Sequence, residues 1–243
     1  MTHTADKHLL LPSLRFAFCR NADRARQPSQ QELQVVKLVQ RRAAQLESAS
    51  DRELRNLAAT LKDAVQQFGG KLPSEDLATQ RIAGAALVRE AVRRTCGLRY
   101  HGVQILAGLA LTSGNVAEMA TGEGKTIISA IPAFFAWLDG RQTHVVTPNE
   151  YLAARDCEQL KPALELLGAS VTLLSKGNQV ARKQAAYRGD VVYGTGHEFG
   201  FDYLRDQLTL PRQRKGAAGS RRLDSLRGQA SPAASVLQSR REL

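Results

Sequence analysis

Thr121-Gly122-Glu123-Gly124-Lys125-Thr126 is the stretch whose residue types and spacing could do chemistry, and the chemistry is phosphate binding. Glycines at 122 and 124 allow backbone angles that turn successive N–H groups toward one anion. A helix opening at Lys125 would aim its positive end at the same point. Lys125 would reach the β- and γ-phosphates of a nucleotide, and the Thr126 hydroxyl would hold the Mg²⁺ that bridges them. The standard loop, G-x-x-x-x-G-K-[ST], begins with glycine, and here Met119 takes that place. Eighteen residues before Gly122 stands Gln104. Its amide offers one donor and one acceptor, the complement of the N6/N7 edge of adenine.

Such a loop works only between a strand and a helix, and the surrounding pattern supplies both. Val116–Met119 reads as a strand and Lys125–Leu138 as the helix after the loop. Thr143–Thr147, Val171–Leu174 and Asp190–Gly194 read as further strands. Asn149–Leu167, with a kink expected at Pro162, Asn178–Tyr187 and Glu198–Leu208 read as helices between and after them. Strands alternating with helices predict one parallel sheet covered on both faces.

Upstream the period is helical throughout. Ser29 and Glu32 form a capping box, followed by Leu33, Val36, Val39, Ala43 and Leu46 at spacings of three and four. Ser50 and Glu53 repeat the box ahead of Leu54, Leu57, Leu61, Val65 and Phe68, and Gly69-Gly70 ends that run. Pro73-Ser74 opens a third helix through Ala85, Val88 and Val92 to a stop near Gly97. The predicted division is a basic disordered N-terminus (1–28), a helical segment (29–97), a partial nucleotide-binding domain (98–210) and a disordered basic tail (211–243).

Composition bounds the remaining chemistry. The 243 residues carry a net charge of +11, with 43% hydrophobic and 23% charged residues, as in ordinary globular chains. The charge is uneven: residues 1–30 carry +3 and residues 211–243 carry +6, leaving about +2 for the body. Such ends could meet an anionic membrane surface. Cys19, Cys96 and Cys157 are too few and too scattered for a disulfide framework, and no Cys-x-x-Cys pair suggests zinc. His3, His8, His101, His144 and His197 have no metal-ligand spacing. The longest apolar run, Ile127–Leu138, is about twelve residues and is broken by Ser129 and Pro132. That is short of the ~18–20 needed to span a membrane. No signal-peptide pattern precedes it, so the expected compartment is the cytosol.

Four strings resemble one family. Arg99-Tyr-His-Gly-Val-Gln104, Ala117-Glu-Met-Ala-Thr-Gly-Glu-Gly-Lys-Thr126, His144-Val-Val-Thr-Pro-Asn-Glu-Tyr-Leu-Ala-Ala-Arg-Asp156 and Tyr193-Gly-Thr-Gly-His-Glu-Phe-Gly-Phe-Asp-Tyr-Leu-Arg-Asp206 are similar to the SecA family of preprotein-translocating ATPases. The likeness covers residues 30–210. It implies an incomplete α/β phosphate-loop lobe of the RecA/helicase type, preceded by α-helices. It implies ATP and Mg²⁺ as cofactors, with Gln104 on adenine and Gly122, Glu123, Gly124, Lys125 and Thr126 on the phosphates and, through Thr126, the metal. Arg155, Asp156 and Tyr193–Asp206 would belong to the lobe and its relay to the rest of the motor. The family also places Met at position 119 of this chain. The SecYEG channel, preproteins and a full-length SecA are the implied partners, at the inner face of the cell membrane.

The family continues from Tyr-Leu-Arg-Asp into an Asp-Glu-Val-Asp strand, whereas this sequence holds no Asp-Glu dipeptide and runs into arginine-rich sequence from Pro211. The expectation is therefore a truncated motor that binds ATP without turning it over alone, and a sheet with an open edge. A helicase-type nucleic-acid lobe and a functionless gene fragment are the alternatives. The first lacks a basic stripe with interleaved aromatics in the neutral body.

Overall fold

The computed structural model describes residues 15–18, 21–26, 28–67, 74–176 and 180–219, with side chains placed for 28–67, 78–176 and 180–207. Two strands come first, β1 (Arg15–Phe18) and β2 (Asn21–Arg26), paired antiparallel. Part of the stretch expected to be a disordered N-terminus is thus sheet. Residues 1–14 lie outside the described residues.

Helix α1 (Gln30–Leu46) starts at the predicted box: Ser29 Oγ accepts from Glu32 N at 3.2 Å and Glu32 Oε2 accepts from Ser29 N at 2.7 Å. Helix α2 (Asp51–Gln67) starts at the second, with Glu53 N donating to Ser50 Oγ at 3.2 Å. Its buried stripe is Leu54, Ala58 and Val65, with Leu61 packed on the edge. Leu57, expected on that face, is exposed, because Ala58 occupies the crowded line against the next helix. Phe68 lies outside the described residues.

Helix α3 (Ser74–Cys96) is the axis of the helical half. It packs against both α1 and α2, and Ala85, Ala86, Leu87, Val88, Ala91 and Val92 are buried all round it. A helix apolar on every side has to be central. Fully buried Glu90 is neutralised there by Arg93 (2.8 Å) and Arg94 (2.6 Å). Arg94 also donates to Leu46 O at 2.8 Å, beside the bond that carbonyl accepts from Ala49 N at 3.0 Å, and so ties α3 to the end of α1.

Helix α4 (Gly102–Thr112) reads Gly-Val-Gln-Ile-Leu-Ala-Gly-Leu-Ala-Leu-Thr, and Gly102 through Leu109 are all buried. It leads into β3 (Asn115–Glu118). The helix after the loop has two parts, α5 (Lys125–Ile128) and α6 (Ala130–Leu138). A single helix was expected. Ser129 Oγ donates to Thr126 O at 2.9 Å, and Pro132 has no N–H for the Ile128 carbonyl, so the ladder breaks at Ser129.

The remaining order is β4 (Thr143–Thr147), α7 (Glu150–Leu166), β5 (Val171–Leu173), α8 (Val180–Ala186), β6 (Val191–Thr195) and α9 (Gly196–Gly219). Asn149 caps α7 by accepting from Leu152 N at 2.8 Å. Pro162 sits inside α7, which runs through it as one helix. Helix α9 extends nine residues into the stretch expected as a disordered tail; residues 220–243 lie outside the described residues.

Strands β4, β6 and β5 form a parallel sheet in that order, with Thr143 opposite Val191 and Val171 opposite the same residue on the other side. Central β6 is buried at every position. Its Val191 and Tyr193 point into the main core with α3, α6 and α7, while Val192 points to a second cluster of Leu174, Ala186, Tyr187 and Phe199. The two-residue period of one strand thus fills two cores, which is the sheet with both faces covered. Strand β3 departs from expectation. It pairs antiparallel with β1, Arg15 opposite Glu118 and Phe18 opposite Asn115, outside the parallel sheet. Its side chains alternate between half-buried and exposed, the habit of an antiparallel strand with one wet face. The whole is an incomplete RecA-like α/β lobe behind a helical segment.

Candidate functional site

The loop between β3 and α5 has the backbone that phosphate binding asks for. Gly122 has φ 85° and Gly124 has φ 70°, both in the left-handed region where a side chain is strained. A β-carbon on Gly122 would meet nothing within 4 Å, so that side of the loop is open. Gly124 is the N-cap of α5, followed at once by Lys125, exposed, and by half-buried Thr126. The four residues of α5 are held from below by buried Tyr100, whose hydroxyl donates to Ile127 O. Burial drives the Tyr100 phenol well above its ordinary range, so it stays a neutral donor.

Gln104 sits under the loop. Its Oε1 accepts from His101 N at 2.8 Å and its Nε2 donates to Glu123 O at 2.8 Å. The amide therefore fastens the start of α4 to the loop, and keeps one N–H and one lone pair beyond these bonds. Sequence and structure agree in bringing Gln104 to Gly122–Thr126.

Two residues from α7 join them. Asp156 Oδ1 accepts from the Thr126 hydroxyl at 3.4 Å. Arg155 donates to that same oxygen through Nε (2.9 Å) and Nη2 (2.7 Å), and Nη2 also reaches Thr126 Oγ1 at 3.4 Å. Spacing gave no hint of this contact, since 30 residues separate Thr126 from Asp156. The available signal was the Asn149 cap, which starts α7 and sets Asp156 seven residues on, two turns along the helix.

A second polar group escaped the sequence. Lys183 donates to Glu198 Oε2 (2.6 Å) and to Asp202 Oδ1 and Oδ2 (2.8 and 3.0 Å), and the Tyr187 hydroxyl donates to Asp202 Oδ2 at 3.0 Å. Asp202 is fully buried. The group fastens α8 to α9 below the second core, and the stacked pair His144–Phe199 (4.5 Å between rings) borders it. Burial lowers the Lys183 pKa and its carboxylate partners raise it by more, so it stays charged.

A cleft of about 710 Å³ opens where β4 and β6 end, lined by Asn149, Tyr151, Lys176, Thr195, His197 and Phe201 among others. No residue of the 119–126 loop lines it. Among the described residues no cluster of His, Cys, Asp and Glu could hold a metal alone. Burial pushes the Cys157 thiol up to about 11, as in a structural cysteine. No described helix is long and apolar enough to cross a membrane.

A parallel sheet, a glycine loop with a lysine and a threonine opening the next helix, and a glutamine locked beneath it define a phosphate-loop lobe. The particular family is shown by comparison: the SecA DEAD-like domain matches residues 17–231, and the chain belongs to that family. It is 43% identical over 166 residues to the protein translocase subunit SecA of Carboxydothermus hydrogenoformans, covering 68% of this chain and 18% of that one. It is 41% identical over 179 residues to SecA 2 of Bacillus cereus, covering 74% and 22%. Legionella pneumophila SecA is 44% identical over 151 residues, covering 62% and 17%. The chain spans about a fifth of the length of these relatives.

Proposed function

We propose that this chain binds ATP with Mg²⁺ at Gly122–Thr126, as a partial first nucleotide-binding lobe (98–210) of a preprotein-translocating motor carried on a helical segment (29–97). The observation that carries the reading is the pair of left-handed glycines beside an exposed Lys125 and a Thr126 hydroxyl at the start of a helix. These residues fit a triphosphate: the loop is open at Gly122, both glycines are left-handed, and a cation and a hydroxyl follow in order. Lys125 would contact the phosphates, Thr126 would hold the metal, and the spare N–H and lone pair of Gln104 would read adenine. Bound Mg²⁺ would supply charge neutralisation at the β- and γ-phosphates.

The chain's partners would be the SecYEG channel, preproteins and a full-length SecA. An anionic membrane surface would attract its basic ends.

Titration calorimetry with ATP and Mg²⁺, paired with thermal unfolding, tests this. Saturable binding and a raised Tm in the parent, both lost in Lys125→Ala, are expected. A parent that gains no stability from any adenine nucleotide would remove the reading.

A further inference from the structure

We infer that Asp156 is the carboxylate of the metal site, holding Mg²⁺ through water while Arg155 passes from it to the phosphates. The inference rests on the nucleotide reading above and adds residues that the loop pattern does not contain.

Among the described residues, Asp156 is the carboxylate hydrogen-bonded to a side chain of the loop, and the side chain it meets is the metal-binding hydroxyl, at 3.4 Å. Magnesium keeps much of its water and is held by one or two carboxylates and the phosphates, often through that water. A carboxylate beside the threonine hydroxyl is placed to accept hydrogen bonds from such waters. Asp156 is also held firmly. Its helix is capped by Asn149 and seated by buried Cys157, Leu160, Ala163 and Leu164, and its side chain is 14% exposed. A purely solvated surface aspartate would show none of this.

Arg155 completes the argument. The Arg155 guanidinium supplies two bonds to Asp156 Oδ1 beside Thr126. The Arg155 side chain is 47% exposed, and among the described residues its hydrogen-bond partners are Asp156 and Thr126. An arriving triphosphate offers it a stronger acceptor, and arriving Mg²⁺ takes over the neutralisation of Asp156. The pair thus keeps the site charge-balanced in both states.

The test uses the full chain and measures ATP affinity by calorimetry with Mg²⁺ and, separately, with EDTA. Mn²⁺ binding by electron paramagnetic resonance in the presence of ATP is the second readout. For Asp156→Asn the expected effects have opposite signs. Affinity in EDTA stays level or rises, because a negative charge has left the phosphates' neighbourhood. Affinity with Mg²⁺, and Mn²⁺ affinity, fall roughly 10- to 100-fold, the usual cost of losing an outer-sphere ligand partner. Equal losses in both conditions, or an unchanged Mg²⁺ effect, would overturn the inference while leaving the loop as the nucleotide site. A parent that binds no ATP in either buffer overturns both. Asp156→Glu, which keeps the charge, is the second variant should Asn impair folding. It is expected to retain a Mg²⁺ enhancement within about tenfold of the parent, and losing that enhancement entirely while still binding ATP in EDTA would count against the role.

Discussion

The amide nitrogen of Gln104 stands 2.5 Å from where a β-carbon on Gly124 would lie. Two residues twenty apart in sequence therefore share one small space beneath the phosphate loop. The glycine is required twice over: by its φ of 70° and by the amide that fills its empty side.

Gly124→Ala should destabilise the chain by about 2 kcal/mol. A left-handed alanine costs roughly 1–2 kcal/mol, and moving Gln104 weakens its bond to the Glu123 carbonyl by on the order of 1 kcal/mol. Adding Gln104→Ala should return part of that cost, giving a coupling of about 1 kcal/mol between two residues in contact. Urea denaturation of the four proteins measures it, and strict additivity would show that the two sites are independent.

Asp202→Asn should be far more damaging than its conservative look suggests. The Lys183 ammonium would be left buried with only Glu198 as a full counter-charge, and breaking a buried pair on one side costs roughly 3–5 kcal/mol. The loss should appear as separation of α8 and α9, read by faster amide exchange in Val180–Ala186 than in α3. The pH sign follows from the raised Lys183 pKa. Its contribution is whole below the ordinary lysine range and fades as pH rises through the raised value, so the parent should weaken in alkali more steeply than Lys183→Met.

What the sequence could disclose depended on how local the physics was. Capping boxes at Ser29 and Ser50 and the left-handed need at Gly124 act within a few residues, and each appears in the fold where its pattern put it. Helix α4 is not legible as an element because Gly102–Leu109 is buried on all sides and, Gln104 apart, is apolar with no period. The pairing of β3 is not legible for a different reason. Four residues of alternating burial do not say which strand they will pair with, and the antiparallel partner β1 lay in a basic stretch that reads as disorder. The site divided the same way. The loop was legible, whereas Asp156 beside Thr126 and Lys183 beside Asp202 depend on how whole helices dock, and no residue spacing encodes that.

Cys157 should resist alkylation in the folded chain. With its thiol pushed up to about 11 and its side chain buried, the thiolate is scarce at neutral pH. Its labelling by a maleimide should accelerate about tenfold per pH unit until that value is approached, and should become fast at any such pH once denaturant exposes it. Rapid stoichiometric labelling at Cys157 in native conditions, located by peptide mass mapping, would place it on the surface instead.

Glu90 gives the helical half an acid-sensitive centre. Burial opposes its charge, yet hydrogen bonds from Arg93 and Arg94 outweigh that and hold its pKa below the ordinary glutamate range. In the unfolded chain the group titrates near about 4.3. A depressed native pKa therefore adds stability that is complete above that range and is lost as pH falls through it toward the native value. Glu90→Gln removes the charge at every pH and leaves two guanidiniums short of a partner, so it should cost about 3 kcal/mol near neutrality. The gap between parent and variant should then narrow as pH drops from about 6 to 3, because protonated Glu90 and glutamine offer the arginines the same neutral carbonyl. Denaturation midpoints of both proteins across that range decide it. A gap constant with pH would mean that packing at position 90, and not its charge, is what α3 depends on.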